Sequence, residues 1–86
     1  MIKALIIEDE QKSREMLAML VQQNCPNLQL VGSAKNVTEG VEMIKTLKPD
    51  LIFLDIQMPD GTGFDLLEQV QDKKFEIIFT TATDKH

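Results

Sequence analysis

Short apolar runs alternate along the chain with segments in which apolar residues recur every three or four positions. Lys3–Ile7 is apolar apart from Lys3, and Leu51–Leu54 is wholly apolar. Such runs predict strands covered on both faces. Leu28, Leu30 and Gly32 alternate with Gln29 and Val31, a weaker strand suited to a sheet edge, and Glu76–Thr81 supplies a fourth. Between them, Gln11–Asn24 places Leu17, Leu20 and Val21 on one helical face and stops at Cys25-Pro26-Asn27. Asn36 with Glu39 has the spacing of a capping box, opening a helix whose apolar face is Val37, Val41, Ile44 and Leu47. Gly40 inside that helix marks close packing, and Lys48-Pro49-Asp50 ends it. Asp55–Gly63 is a loop containing the turn Asp60-Gly61. Thr62 then caps a third helix that turns Phe64, Leu67 and Val70 inward.

Strand, helix, strand, helix, strand, helix, strand predicts an α/β fold: a parallel sheet with helices on both faces and right-handed crossovers. Ligands of such sheets bind beyond the carboxyl ends of the strands. Those ends carry Glu8 and Asp9 after the first strand, Asp55 after the third, and Thr80 and Thr81 at the fourth. Two carboxylates about 4 Å apart repel by about 4 kcal/mol at an effective dielectric of about 20. A cluster of three therefore calls for a proton or a cation. Oxygen donors with room for water suit Mg²⁺ or Mn²⁺. A carboxylate beside such an ion can act as a nucleophile toward a phosphoryl group, with a threonine hydroxyl donating to a phosphoryl oxygen. Asp55 is the best candidate, because it terminates the most apolar strand and precedes a tight loop. Acids also favour strand ends and helix starts for their own sake, so spacing alone leaves both readings open.

Composition narrows the field. The 86 residues make one domain at most, spanning 1–86. With 14 acidic and 9 basic residues the net charge is −5, which argues against this chain gripping nucleic acid or an anionic membrane by itself. The apolar runs are far too short to span a bilayer, and Met1-Ile2-Lys3 leads into no signal-peptide pattern. One cysteine, Cys25, excludes an internal disulfide framework. A cytoplasmic protein is the expectation. Met16, Met19 and Met43 read as packing residues, Lys73-Lys74 as a solvated turn and His86 as a plain terminus. Arg14 is consistent with either a partner-facing surface or simple exposure.

Leu5-Ile6-Ile7-Glu8-Asp9-Glu10, Asp50–Pro59, Gly61–Leu67 and Ile77–Ala82 together resemble the receiver domain of two-component response regulators. The likeness runs from end to end of the chain. It implies a flavodoxin-like, CheY-like doubly wound sheet of strand order 2-1-3-4. It also implies that Asp55 accepts a phosphoryl group from a sensor histidine kinase. Glu8, Asp9, Asp55 and the backbone carbonyl of Gln57 would hold Mg²⁺, and Thr81, followed by the small Ala82, would hydrogen-bond the phosphoryl group. Thr80 is expected on the opposite face from Thr81.

Receivers also have a fifth strand, two further helices and a lysine at the end of that strand. The family pattern implies that these are missing here, since none of the lysines present stands at that place. On that view the Glu76–Thr81 edge is bare, and a homodimer through it or through the missing elements is expected. Thr81–His86 is similar to regulators with a LytTR-type DNA-binding output domain, so DNA contact through an absent output domain fits the likeness. The competing readings are a non-phosphorylated, degenerate receiver acting as an interaction module and a Mg²⁺-dependent phosphohydrolase. Gln57 stands where aspartyl phosphatases want a second acid. A flavodoxin-like FMN carrier is a poorer match, because Glu8-Asp9-Glu10 would repel phosphate.

Overall fold

The computed structural model describes residues 1–71 and 74–80. Its elements run β1 (Ile2–Ile7), α1 (Gln11–Asn24), β2 (Leu28–Ala34), α2 (Val37–Leu47), β3 (Leu51–Asp55), β4 (Gln57–Met58), β5 (Gly61–Thr62), α3 (Gly63–Gln69) and β6 (Glu76–Thr80). The main sheet is parallel in the order β2-β1-β3-β6. With β6 as the fourth long strand, this is the 2-1-3-4 order expected, with β2 at an edge. Thr81, Lys73 and His86 lie outside the described residues.

Alternation along β1 and β3 sorts their side chains into two cores. Leu5, Ile7, Ile52 and Leu54 pack with Val37, Val41 and Ile44 of α2 and Leu66 of α3. Ala4, Ile6 and Phe53 pack on the other face against Leu17, Ala18 and Val21 of α1. Helices thus cover both faces, which is why these strands read as unbroken apolar runs rather than alternating ones. Gly40 is where α2 crosses closest. A Cβ there would lie 2.7 Å from Leu66 Cδ1 and 3.0 Å from Ile7 Cδ1.

The helix faces differ from expectation in detail. Leu20 is 49% exposed, and α1 uses Leu17, Ala18 and Val21 instead, a face rotated by part of a turn. Met16 and Met19 are exposed as well, and only Met43 packs against the core. In α3, Phe64 is exposed and leans on Phe79 of β6 with ring centroids 5.4 Å apart, while Leu66 is the fully buried residue. The stripe chosen from spacing was too narrow to separate neighbours one position apart.

The caps are mostly side-chain made. Asn36 accepts from the Glu39 N–H at 2.8 Å, but Glu39 reaches back to the Lys35 N–H, one residue before the cap. Thr62 and Asp65 form a complete reciprocal box on α3. Lys48 ends α2 in the left-handed conformation, φ 49°.

Candidate functional site

β1 and β3 lie side by side and parallel, with Ile7 opposite Leu54. The residues that follow each strand therefore emerge at the same edge. Glu8 and Asp55 are 4% and 2% exposed, and Asp9 is half-buried beside them. One carboxylate oxygen from each of Glu8, Asp9 and Asp55 lies within 4.8 Å of the others. The sequence places Glu8 and Asp55 far apart; the parallel sheet brings them together.

Burial pushes the Glu8 carboxyl up from 4.5 to about 7, and its hydrogen bond to Asp55 adds to the rise. The Glu10 N–H, donating to Glu8 Oε2 at 3.0 Å, works the other way. The folded value lies above the unfolded one, so the native state holds a proton that the unfolded chain releases. Stability is thus lost as pH rises from 4.5 through about 7. In a chelator, the melting temperature is expected to be a few degrees lower at about pH 8 than at about pH 5, with a flatter profile in Glu8→Gln. Thermal melts followed by circular dichroism check this, and an unchanged slope in Glu8→Gln would remove Glu8 from the account.

The segment after Asp55 is more ordered than the loop expected from sequence. β4 and β5 pair antiparallel, Gln57 with Thr62 and Met58 with Gly61, around the turn Pro59-Asp60. Gly61 takes φ +149°, a region that excludes most side chains. Gly63 donates to the Ile56 carbonyl at 2.7 Å. A Cβ on Gly63 would sit 2.8 Å from the Asp55 carbonyl oxygen, so glycine is what lets α3 begin against the end of β3. Gln57 is exposed.

Asp60, unremarked beyond its turn in the sequence, receives Val37 N at 2.8 Å, Thr38 N at 3.0 Å and Thr38 Oγ1 at 2.9 Å. The Val37 N–H and then the Thr38 donors hold its carboxyl below the usual range. Arg14 also went unassigned. Its Nη1 donates to the carbonyls of both Glu8 and Asp9 at 2.9 Å. Thr80 pairs with Asp55 across β3–β6, and its Oγ1 is buried without a partner among the described residues.

The chemistry of the donor set is all-oxygen, three carboxylates at one strand edge, which fits a hard divalent cation such as Mg²⁺. No helix among the described residues is long and apolar enough to cross a membrane.

A family model, the response regulator receiver domain, matches residues 4–86. The chain is 37% identical to the transcriptional regulatory protein BtsR of Escherichia coli, over all of this chain and 36% of that protein. It is 42% identical to the sensory transduction protein LytT of Enterococcus faecalis, over 95% of this chain and 34% of that one. The chain thus spans about a third of the length of the curated relatives it matches. Among solved structures, the response regulator domain of Thermotoga maritima CheB superposes with a TM-score of 0.86 at 29% identity, covering 99% of this chain and 63% of that one. The flavodoxin-like sheet, the acidic edge and the family match agree, and the chain belongs to the response regulator receiver domain family.

Proposed function

We propose that this chain is a phosphorylation switch of a two-component system, in which Asp55 takes a phosphoryl group from the phosphohistidine of a sensor histidine kinase. The observation that carries this is the meeting of Glu8, Asp9 and Asp55 within 4.8 Å at one edge of the sheet. A buried carboxylate at a strand end, backed by two more acids, is positioned to use a cation for charge control and itself for attack.

Asp55 forms the new oxygen–phosphorus bond as the phosphorus–nitrogen bond to imidazole breaks and the imidazole keeps the electron pair. Asp9, Glu8, Asp55 and the Gln57 carbonyl would hold Mg²⁺, or Mn²⁺ in its place. When bound, the ion offsets charge on the carboxylates and the phosphoryl oxygens. The Glu10 N–H fixes one oxygen of Glu8. The β4–β5 hairpin follows Asp55 directly and pairs Gln57 with Thr62. Thr81, outside the described residues, is assigned the hydrogen bond to a phosphoryl oxygen.

The added charge, about −2, then reorganises the surrounding loops and a partner surface. Similarity to transcriptional regulators supports an output in transcription through a DNA-binding domain beyond this chain, and a cytoplasmic setting. A homodimer is the arrangement we assign to the signalling form.

The test is intact-mass spectrometry of folded protein incubated with a small phosphodonor, with and without Mg²⁺, beside Asp55→Asn. A phosphate-sized gain that needs Mg²⁺ and vanishes in Asp55→Asn is expected. A folded protein that gains no mass would instead be a phosphate-independent interaction module.

A further inference from the structure

The β1–α1 turn must hold two acidic side chains against a third at the end of β3. Glu8 N donates to the Ala34 carbonyl at 3.0 Å, and Glu10 N donates to Glu8 Oε2 at 3.0 Å. Glu10 stands at the start of α1 without a side-chain cap bond to the helix. The carbonyls of Glu8 and Asp9 face a single group, Nη1 of Arg14, one turn into α1, and each accepts from it at 2.9 Å. Arg14 is half-buried, and its own N–H donates to the Glu10 carbonyl at 2.9 Å. One guanidinium therefore ties two consecutive peptide units of the acidic turn to the helix that follows.

We infer that Arg14 is a positioning residue for the cation site: it clamps the backbone of Glu8 and Asp9 so that their carboxylates face Asp55 before any ion arrives. The assignment rests on the proposed binding of Mg²⁺ by those acids. Two carbonyls held by one charged nitrogen, Nη1, restrict the turn from rotating its acids away from one another, which their mutual repulsion favours. Groups that orient metal ligands from behind change affinity without touching the ion, typically by about 10–100-fold on removal. A surface-exposed docking arginine would instead leave its guanidinium free for a partner, and here Nη1 is engaged with the turn.

The test is calorimetric titration of MgCl₂ into the full natural chain, for wild type, Arg14→Met, Arg14→Lys, Asp9→Asn and Leu17→Ala. Amide hydrogen exchange at Glu8–Glu10 is read in parallel without metal. Arg14→Met is expected to weaken Mg²⁺ binding by at least about 10-fold and to speed exchange at the turn. Arg14→Lys, which keeps a charged donor but not the planar fork, should recover part of both and keeps the comparison open if Arg14→Met does not fold. Leu17→Ala loosens the packing of α1 and lowers the melting temperature while leaving affinity near wild type. Unchanged affinity and exchange in Arg14→Met would overturn the clamp. Equal loss of affinity in Leu17→Ala would also overturn it, by reducing Arg14 to ordinary helix stability. Absence of Mg²⁺ binding in wild type would overturn the metal reading itself and the role of Arg14 toward it, an outcome separate from the exchange result, which reads the clamp alone.

Discussion

Asp55→Asn is expected to abolish phosphorylation and, in a chelator at neutral pH, to make the protein more stable. The side chain is 2% exposed, and asparagine keeps its shape while removing one of three clustered charges. Glu8 then loses the like charge of Asp55, which together with burial raises its carboxyl. Relief of one close pair, discounted for partial solvent screening, is worth on the order of 1–2 kcal/mol. For a domain of this size that is a rise in melting temperature of roughly 5–10 °C. The response to Mg²⁺ shrinks at the same time, because fewer charges remain to be neutralised. Calorimetric scans with chelator and with Mg²⁺, alongside the mass measurement, separate the two effects. Loss of phosphorylation with no gain in stability would mean that crowding among the carboxylates costs the fold nothing.

The largest loss of stability is expected at Leu66, far less conspicuous in the sequence than the aromatic two residues before it. Leu66 is fully buried between α2, α3 and β1, with its Cδ1 in the space a methyl on Gly40 would need. Leu66→Ala should cost about 3 kcal/mol, the removed apolar surface plus the cavity left behind. Small domains are stable by only about 5–15 kcal/mol, so this is a large share. Gly40→Ala alone is overpacked and also destabilising. The double variant should lose less than the sum of the two, because the new methyl occupies the cavity. Urea unfolding of the four proteins checks this, and strict additivity would show that Leu66 and Gly40 do not share the space.

The parts of the fold carried by burial were legible in the sequence. β1 and β3 are unbroken apolar runs because both faces are covered, and parallel strands put Glu8, Asp9 and Asp55 at one edge, whereas the order of the strands came from the likeness to receiver domains. Thr62 announced its helix because a cap acts on residues two and three positions away. What stayed hidden depends on tertiary placement. Asp60 caps a helix more than twenty residues earlier, and no local pattern can pair them. Arg14 looks like any polar residue of α1 until the turn before it folds back within reach. Phe64 was assigned to the core on its size and spacing, whereas Leu66 holds the position that faces α2. The β4–β5 hairpin is too short for alternation to register, so only its turn residues were visible.

The contact of Asp60 with α2 has a mechanical meaning. The hairpin that follows Asp55 is fastened at its tip to the first turn of α2. Three donors share one carboxylate, so a shift of the tip breaks bonds to both the Val37 and the Thr38 amides. The segment that follows Asp55 and the start of α2 are thereby joined through three hydrogen bonds to one side chain, Asp60.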